Sequence, residues 1–366
     1  MYDYLLVGAG LFNAVLAYEL SKCGKKCLVV ERRNHIGGNC YTEEIEEIIV
    51  HKYGAHIFRT SDKEIWEYMQ QFAEFNHFIN SPIARYKNEV YNLPFNMNTF
   101  SKLWGVKTPD EAKEIIAKQS EDVHRPARNL EEHAIGMTGI DIYEKLIKGY
   151  TEKQWGKRCD QLPASIMKRI PLRFTYDNNY YRDRYQGIPI GGFTPIFEKM
   201  FYNCDIRLGT DYLSHRGNLE SKAAAIIYSG TIDSYYEYKY GALEYRSLYF
   251  ETEILNTDNF QGVAVVNYTD ADVPYTRIIE HKHFEFGQQK KTVISKEYPR
   301  EWELGTEPYY PINDMENMAR YEQYRRIQKK DGKLIFGGRL GSYQYYDMQD
   351  TVKAALGLSQ KLLKGR

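Results

Sequence analysis

The chain opens on an apolar run, Tyr2 to Val7, that passes directly into Gly8-Ala9-Gly10-Leu11-Phe12-Asn13. Ala14 to Ser21 then carries apolar residues at helical spacing, Lys26 to Val30 is a second apolar run, and Glu31 closes it. This order predicts strand, glycine turn, helix, strand and acid, the βαβ fingerprint for a dinucleotide in the context the motif requires. Gly8 is expected to make the tight turn and Gly10 to let the backbone approach a pyrophosphate at the positive end of the helix. Glu31 stands where a carboxylate binds the ribose hydroxyls of an adenosine. Asn13 replaces the third glycine of the motif, a departure that a wider helix–strand contact would absorb.

Beyond Glu31 the α/β pattern continues to about residue 80, with a helix near Lys63 to Phe72. Tyr91 to Phe100 reads as a loop punctuated by Pro and Asn. A helix is predicted from Thr108-Pro109-Asp110-Glu111, where Thr caps, Pro takes the first helical position and Glu completes a capping box. Helical spacing recurs at Leu130 to Ala134 and Ile142 to Ile147, so residues 100–165 read as a small helical insertion. Leu248 to Leu255, Gly262 to Tyr268 and Lys291 to Tyr298 are β-branched or aromatic runs bounded by turns, as in an antiparallel sheet. Leu334-Ile335-Phe336-Gly337-Gly338-Arg339 returns to a buried strand ending in glycines, and an amphipathic helix runs from Met348 to Leu363.

Composition narrows the classes. With 49 basic and 49 acidic side chains in 366 residues, zero net charge argues against a nucleic-acid binder or a polybasic membrane anchor. The N-terminal apolar stretch runs into the fingerprint and reads as a strand, not a signal peptide, and no stretch reaches the roughly 18 apolar residues of a membrane span. The 5 cysteines (Cys23, Cys27, Cys40, Cys159, Cys204) form no CxxC pair. Their spacing fits reduced thiols in the cytoplasm better than disulfides or zinc, and no metal site is expected. Tyrosine is abundant, 33 residues against 16 Phe. Most are expected on sheet faces, and some would line a polar pocket for sugar and base.

Two later features bear on the cofactor. Glu31-Arg32-Arg33-Asn34-His35-Ile36-Gly37-Gly38-Asn39 places a second glycine pair behind the acid. That order resembles the FAD-binding start of many flavoproteins. The strand ending at Gly337-Gly338-Arg339, with a helix starting near Asp347, would set a helix N-terminus against a flavin ring, where its partial positive charge favours the anionic reduced form.

Strings along essentially the whole chain then resemble the bacterial UDP-galactopyranose mutase family. They are Gly8-Ala9-Gly10-Leu11-Phe12, His35-Ile36-Gly37-Gly38-Asn39, His51-Lys52-Tyr53-Gly54-Ala55-His56-Ile57-Phe58 and Asn92-Leu93-Pro94-Phe95-Asn96. Gly149-Tyr150-Thr151-Glu152-Lys153-Gln154-Trp155-Gly156, Lys168-Arg169-Ile170-Pro171 and Pro274-Tyr275-Thr276-Arg277-Ile278-Ile279-Glu280-His281 follow, then Glu307-Pro308-Tyr309-Tyr310-Pro311 and Phe336-Gly337-Gly338-Arg339. The resemblance implies a cytoplasmic FAD isomerase that interconverts UDP-galactopyranose and UDP-galactofuranose and supplies furanose units for surface polysaccharide. It implies that N(5) of reduced flavin forms a covalent adduct with the sugar, that an unidentified electron donor reduces the flavin, and that the enzyme is a homodimer. It implies an α/β fold: a Rossmann-like FAD-binding domain (1–80, 190–240 and 315–366), a helical domain (95–165) and an antiparallel sheet domain for substrate (81–94, 166–189 and 241–314).

By the same resemblance Arg169 and Arg277 are the diphosphate arginines, Arg169 on a mobile loop that closes on substrate. Asn80, Tyr150, Thr151, Trp155, Tyr180, Asn267, Tyr310 and Tyr345 match substrate contacts. Gly8, Gly10, Phe12, Glu31, Arg32, Gly38, Asn39, His56, Ile57, Arg339, Tyr346, Asp347 and Met348 match cofactor contacts, with His56 beside the flavin. One departure stands at Arg59, where the family has His. A guanidinium there is expected to project toward the sugar and donate to an acetamido carbonyl, admitting UDP-N-acetylgalactosamine as a second substrate. A redox flavoenzyme of the amine-oxidase or porphyrinogen-oxidase type is the alternative, since it shares the N-terminal fingerprint but leaves the diphosphate arginines unexplained. A non-catalytic flavin or nucleotide-sugar binder would keep the glycines and lose Arg169.

Overall fold

The computed structural model describes residues 1–167, 172–328 and 332–364. Short runs that are apolar on both faces must be covered by helices on both sides, which is the condition for a parallel sheet. Strand β1 (Tyr2–Val7) and strand β2 (Cys27–Val30) meet that condition. They lie inside a five-stranded sheet in the order Leu334–Phe336, Ala223–Tyr228, β1, β2, Asp205–Arg207, and every pair in it is parallel. Helix α1 (Leu11–Lys22) buries most of its length, Leu11 through Ala17. It shares one core with the C-terminal helix Met348–Leu363 and with helices Lys63–Gln70 and Thr194–Met200.

A second sheet has seven strands in the order Tyr310–Pro311, Tyr245–Leu255, Thr292–Glu301, Arg277–Glu280, Val265–Tyr268, Ile83–Tyr86, Glu89–Asn92. The predicted antiparallel sheet needs one correction: Val265–Tyr268 and Ile83–Tyr86 pair in parallel. The strand at residue 83 lies about 180 residues before its partner, so no hairpin dictates its direction. The helical segments between Met97 and Trp155 pack on a separate core that also takes in Ala84 and Tyr91.

Tyr91 to Phe100 is not the loop its Pro and Asn residues suggest. Tyr91 belongs to strand Glu89–Asn92, and a helix begins at Met97. Asn96 caps that helix, its Oδ1 accepting from the Asn98 and Thr99 N–H groups, so an expected breaker is a start signal. The capping box at Thr108 and Glu111 forms as predicted. Residues 140–155 make one helical run whose middle, Tyr143–Lys148, widens into a π-turn.

Asn13 does not widen the first turn. Its side chain is fully buried and folds back, Nδ2 donating to the carbonyls of Val7 at 2.9 Å and Gly8 at 2.8 Å. The amide ties the glycine turn to the helix where a third glycine would only have left room. Asn13→Ala removes a buried donor at the turn and is expected to cost about 1–3 kcal/mol, read as a lower urea midpoint at unchanged slope.

Candidate active site

The C-terminal ends of the parallel strands and the start of α1 open on a cavity of about 410 Å³, the place where open α/β sheets bind ligands. Its floor is backbone. Gly8 has φ +96° and a Cβ there would lie 2.4 Å from Ser229 Oγ. Gly38, at φ +56°, passes so near the first turn that a Cβ would come within 3.0 Å of Gly10 Cα. The Gly37 N–H donates to Ala9 O at 2.8 Å and holds the two turns together. Helix α1 begins at Gly10 without a side-chain cap, which leaves its first N–H groups for an anion.

Glu31 lines this cavity, and its two carboxylate oxygens accept the Ala9 and Arg33 N–H groups, each at 2.8 Å. Arg32 is turned outward onto Glu307. Its neighbour Arg33 also pairs with Glu307, at 3.0 Å, but is far less exposed: it donates to Asn39 Oδ1 at 2.9 Å, lies over the Tyr53 ring and leaves Nη1 buried without a partner. The sequence offered two adjacent arginines and no means of choosing between them.

At the far end of the cavity stand His56, Arg339, Asp347 and Met348. His56 Nδ1 bonds the Gly54 carbonyl at 2.8 Å, and the His56 N–H donates to His51 Nδ1 at 3.1 Å. The His51 N–H donates in turn to His281 Nδ1 at 3.2 Å. Burial lowers all three histidines: His56 to about 4 (the Gly54 bond opposes this and Arg339 adds to it), His281 to about 3, and His51 well below its ordinary value with help from the other two. Arg339 donates from Nε to the Tyr346 carbonyl at 2.9 Å and lies over the rings of Tyr310 and Tyr345. Asp347 caps the C-terminal helix, accepting from the Asp350 N–H at 3.1 Å.

Arg59, expected to project toward the sugar, is engaged by two carboxylates of the protein. Nη1 bonds Asp183 at 2.6 Å, Nη2 bonds Asp347 at 3.0 Å, and the guanidinium covers the Tyr181 ring. A permanent cation beside two carboxylates is drawn into them, so Arg59 clasps segment 180–184 to the cap of the C-terminal helix.

Beyond Tyr310 and Tyr345, whose rings stack at 5.2 Å, lies a second polar cluster. Helix Gly149–Trp155 approaches the sheet so closely that a Cβ on Gly149 would sit 2.3 Å from the Thr269 carbonyl. Lys153 pins it there, donating to the carbonyls of Tyr268 at 2.7 Å and Tyr275 at 3.0 Å. This contact brings Tyr150 to Arg277, whose Nη2 donates to the Tyr150 hydroxyl at 2.5 Å. Arg277 Nε lies 3.2 Å from Glu297. Burial works against its charge, but Glu297 and Tyr150 outweigh it and raise the Arg277 pKa. Asn267, opposite Arg277 in the sheet, keeps a buried Oδ1 without a partner. Tyr180 lies within electrostatic reach of Tyr150, Arg277 and Tyr345, and burial pushes it up to about 12. Its N–H donates to the Asn80 carbonyl at 2.8 Å.

The predicted residues therefore divide. Gly8, Gly10, Phe12, Glu31, Arg32, Gly38, Asn39, His56, Arg339, Asp347 and Met348 line the cavity, and Tyr150, Tyr180, Asn267, Arg277, Tyr310 and Tyr345 gather beside it. Arg169 lies outside the described residues. Ile57, just before strand Phe58–Thr60, packs in a core with Phe78 and Ile188 instead. Trp155 packs on the helical core, Thr151 is buried within its helix, and Tyr346 reaches the site through its carbonyl. Unforeseen are Arg33, although it lies in the glycine-pair string after Glu31, and Asp183, Glu297 and the cavity wall Thr210–Tyr212, which sit in no local motif.

Fold and cavity together define a dinucleotide-binding enzyme with a Rossmann-like domain. Residues 6–72 match the model of the NAD(P)-binding Rossmann-like domain, and residues 145–345 match that of UDP-galactopyranose mutase. The chain is 38% identical to a probable UDP-galactopyranose mutase of Klebsiella pneumoniae, over 99% of this chain and 94% of that one. It is 34% identical to the dTDP-fucopyranose mutase of Escherichia coli, over 100% and 99%. A crystal structure of reduced UDP-galactopyranose mutase shares the fold with a TM-score of 0.75, covering 100% of this chain and 94% of that one at 12% identity. The chain belongs to the UDP-galactopyranose mutase family and is an isomerase.

The histidine network sets a pH dependence. Each histidine binds its proton more weakly folded than unfolded, so the unfolded state takes up protons first as pH falls. Stability is complete above about pH 6.5, the ordinary histidine value, and is lost as pH falls toward about 4 for His56 and about 3 for His281. Urea midpoints measured from pH 7 to 4 should decline, and His281→Gln should flatten the decline.

Proposed function

We propose that this protein is an FAD-dependent mutase that interconverts UDP-galactopyranose and UDP-galactofuranose and works only with its cofactor reduced. The observation that carries the reading is the half-buried Arg277–Tyr150 pair, placed beside a dinucleotide cavity with Tyr310 and Tyr345 between it and Arg339 on the cavity wall. The residues present suit FAD. The glycine turns bring backbone against a diphosphate, Arg33 has an unpartnered buried nitrogen aimed into the same region, and the N-terminus of the C-terminal helix meets the far end, where an isoalloxazine would lie. The reduced flavin, when bound, would supply N(5) as the nucleophile toward the anomeric carbon, a covalent route that needs no net redox change.

This chain's residues do the rest. Arg277 holds the departing UDP by a charge-assisted bond to its diphosphate, exchanging part of its hold on Glu297 and Tyr150. Arg169 is assigned the second diphosphate contact. The Asn267 carbonyl oxygen accepts a substrate hydroxyl, since it has no partner of its own. Tyr150 and Tyr180 wall the nucleotide side, and Tyr345, 64% exposed, stands at the mouth. His56, neutral across the working range with its proton on Nδ1 toward the Gly54 carbonyl, leaves Nε2 to accept a hydrogen bond without adding charge beside the cofactor. The reading stops at galactose with its C-2 hydroxyl free, because Arg59, the residue expected to serve an acetamido group, is drawn onto Asp183 and Asp347. Kinship to a dTDP-fucopyranose mutase is consistent with a pyrimidine nucleoside diphosphate sugar, and the higher identity to the galactose relative favours UDP.

The purified protein should be yellow and release FAD on denaturation. Arg277→Ala should retain that FAD yet lose about tenfold to a hundredfold in turnover of UDP-galactofuranose, the worth of a charged hydrogen bond of about 1.5–3 kcal/mol. Product chromatography checks it, and wild-type turnover in the variant would displace the diphosphate from Arg277. With UDP-N-acetylgalactosamine the wild type should give no product above background, and ready conversion would return Arg59 to the sugar pocket.

A further inference from the structure

Two cysteines outside the active site face each other across adjacent strands. β2 and the edge strand Asp205–Arg207 are parallel, with Leu28 opposite Asp205. One residue earlier on each strand stand Cys27 and Cys204. Both lie on the α1 side of the sheet, Cys27 within the core and Cys204 packed against it. Adjacent strands run about 4.7–4.9 Å apart, inside the roughly 4.4–6.8 Å separation of Cα atoms that a disulfide spans. Both thiols border one surface depression, and Ser21 Oγ lies 3.5 Å from Cys204 Sγ. Cys27 is buried, whereas Cys204 is partly exposed in a surface depression with Tyr202 and Asn203. Cys40 and Cys159 are buried elsewhere, and Cys23 is exposed.

We propose that Cys27 and Cys204 are a redox-modification site, a dithiol that closes reversibly into a disulfide when it meets a small-molecule disulfide such as oxidised glutathione. Cys204 is the attacking group. The neighbouring Cys27 thiol lowers it to about 7; burial opposes this and Ser21 adds to it. The same pairing, with burial, raises Cys27. The Cys204 thiolate attacks one sulfur of the oxidant, forming a mixed disulfide and expelling one small thiolate. Cys27 then loses its proton to solvent and attacks Cys204 Sγ, forming the protein disulfide and expelling the second small thiolate. Two cysteine thiols are oxidised, one small disulfide is reduced to two thiols, and the protons balance.

The position makes the closure consequential. The edge strand is three residues long and exposed throughout. Its far end is tied to β2 and the segment after it by backbone bonds: Glu31 N–H to Arg207 O at 2.9 Å, Gly209 N–H to Arg33 O at 3.0 Å and Thr210 N–H to Glu31 O at 2.9 Å. Thr210, Asp211 and Tyr212 then form a wall of the dinucleotide cavity. A covalent tie at the start of both strands braces the least protected edge of the sheet and, through it, that wall.

The test is to incubate the purified holoprotein with oxidised glutathione, then measure intact mass, non-reducing peptide maps, melting temperature and amide exchange. Loss of two hydrogens, a Cys27–Cys204 peptide, a higher melting temperature and slower exchange over residues 205–212, all reversed by dithiothreitol, are expected. Cys23→Ser should behave as wild type. Cys204→Ser, at a partly exposed position, should abolish the cross-link, so the test stands even if Cys27→Ser folds poorly. A stable glutathione adduct on Cys204 or Cys23, or no oxidation, would overturn the proposal. So would a cross-link that leaves melting and exchange unchanged.

Discussion

The site depends on one close approach. The turn after β1 and the turn at Gly37-Gly38 meet so tightly that no side chain fits between Gly10 and Gly38. Backbone in contact at that point leaves uncapped N–H groups of α1 facing the cavity, with no side chain to fill it. The approach is held by the Gly37 to Ala9 bond, by Glu31 gripping the Ala9 N–H, and by Asn13 tying the turn to its own helix. A parallel sheet buried on both faces provides the rigidity, because neither turn can shift without disturbing β1 or β2.

Charge organises the rest. The arginines of the site are engaged with the protein's own groups: Arg277 with Glu297 and Tyr150, Arg59 with Asp183 and Asp347, Arg339 with backbone carbonyls. A guanidinium withdrawn from water without a partner would be costly, so these groups hold the charge in place. The histidines complement this by staying neutral. Burial keeps positive charge off the cofactor side of the cavity, and a cation there beside Arg339 would be doubly unfavourable.

Sequence and structure agree where the signal is local. The fingerprint, the capping box at Thr108 and the helix from Met348 to Leu363 appear where residue spacing puts them, because each rests on neighbours along the chain. The disagreements have a different origin. Tyr91 to Phe100 reads as a loop because Pro and Asn are breakers in isolation, while the capping role of Asn96 needs the helix that follows. The parallel pair in the second sheet joins strands about 180 residues apart, which periodicity cannot see. Arg59 had its neighbours at Asp183 and Asp347, again distant, so its charge was assigned to the substrate. Arg33 and Arg32 are indistinguishable in sequence, and only the direction of the chain after Glu31 turns one inward. Resemblance supplied Tyr150 and Arg277 together, and Gly149 explains their meeting: a glycine in the middle of a helical run is there because the Thr269 carbonyl leaves no space for a methyl group.

The account stands on a mutase reaction that requires reduced cofactor without consuming electrons. The most direct measurement is anaerobic incubation of the protein with UDP-galactofuranose, with and without dithionite, followed by chromatographic separation of the two sugar nucleotides. Conversion to UDP-galactopyranose over many turnovers after a single reduction, with none in the oxidised sample, is the predicted result. Equal conversion with oxidised cofactor in air, or consumption of one reducing equivalent per product, would contradict it.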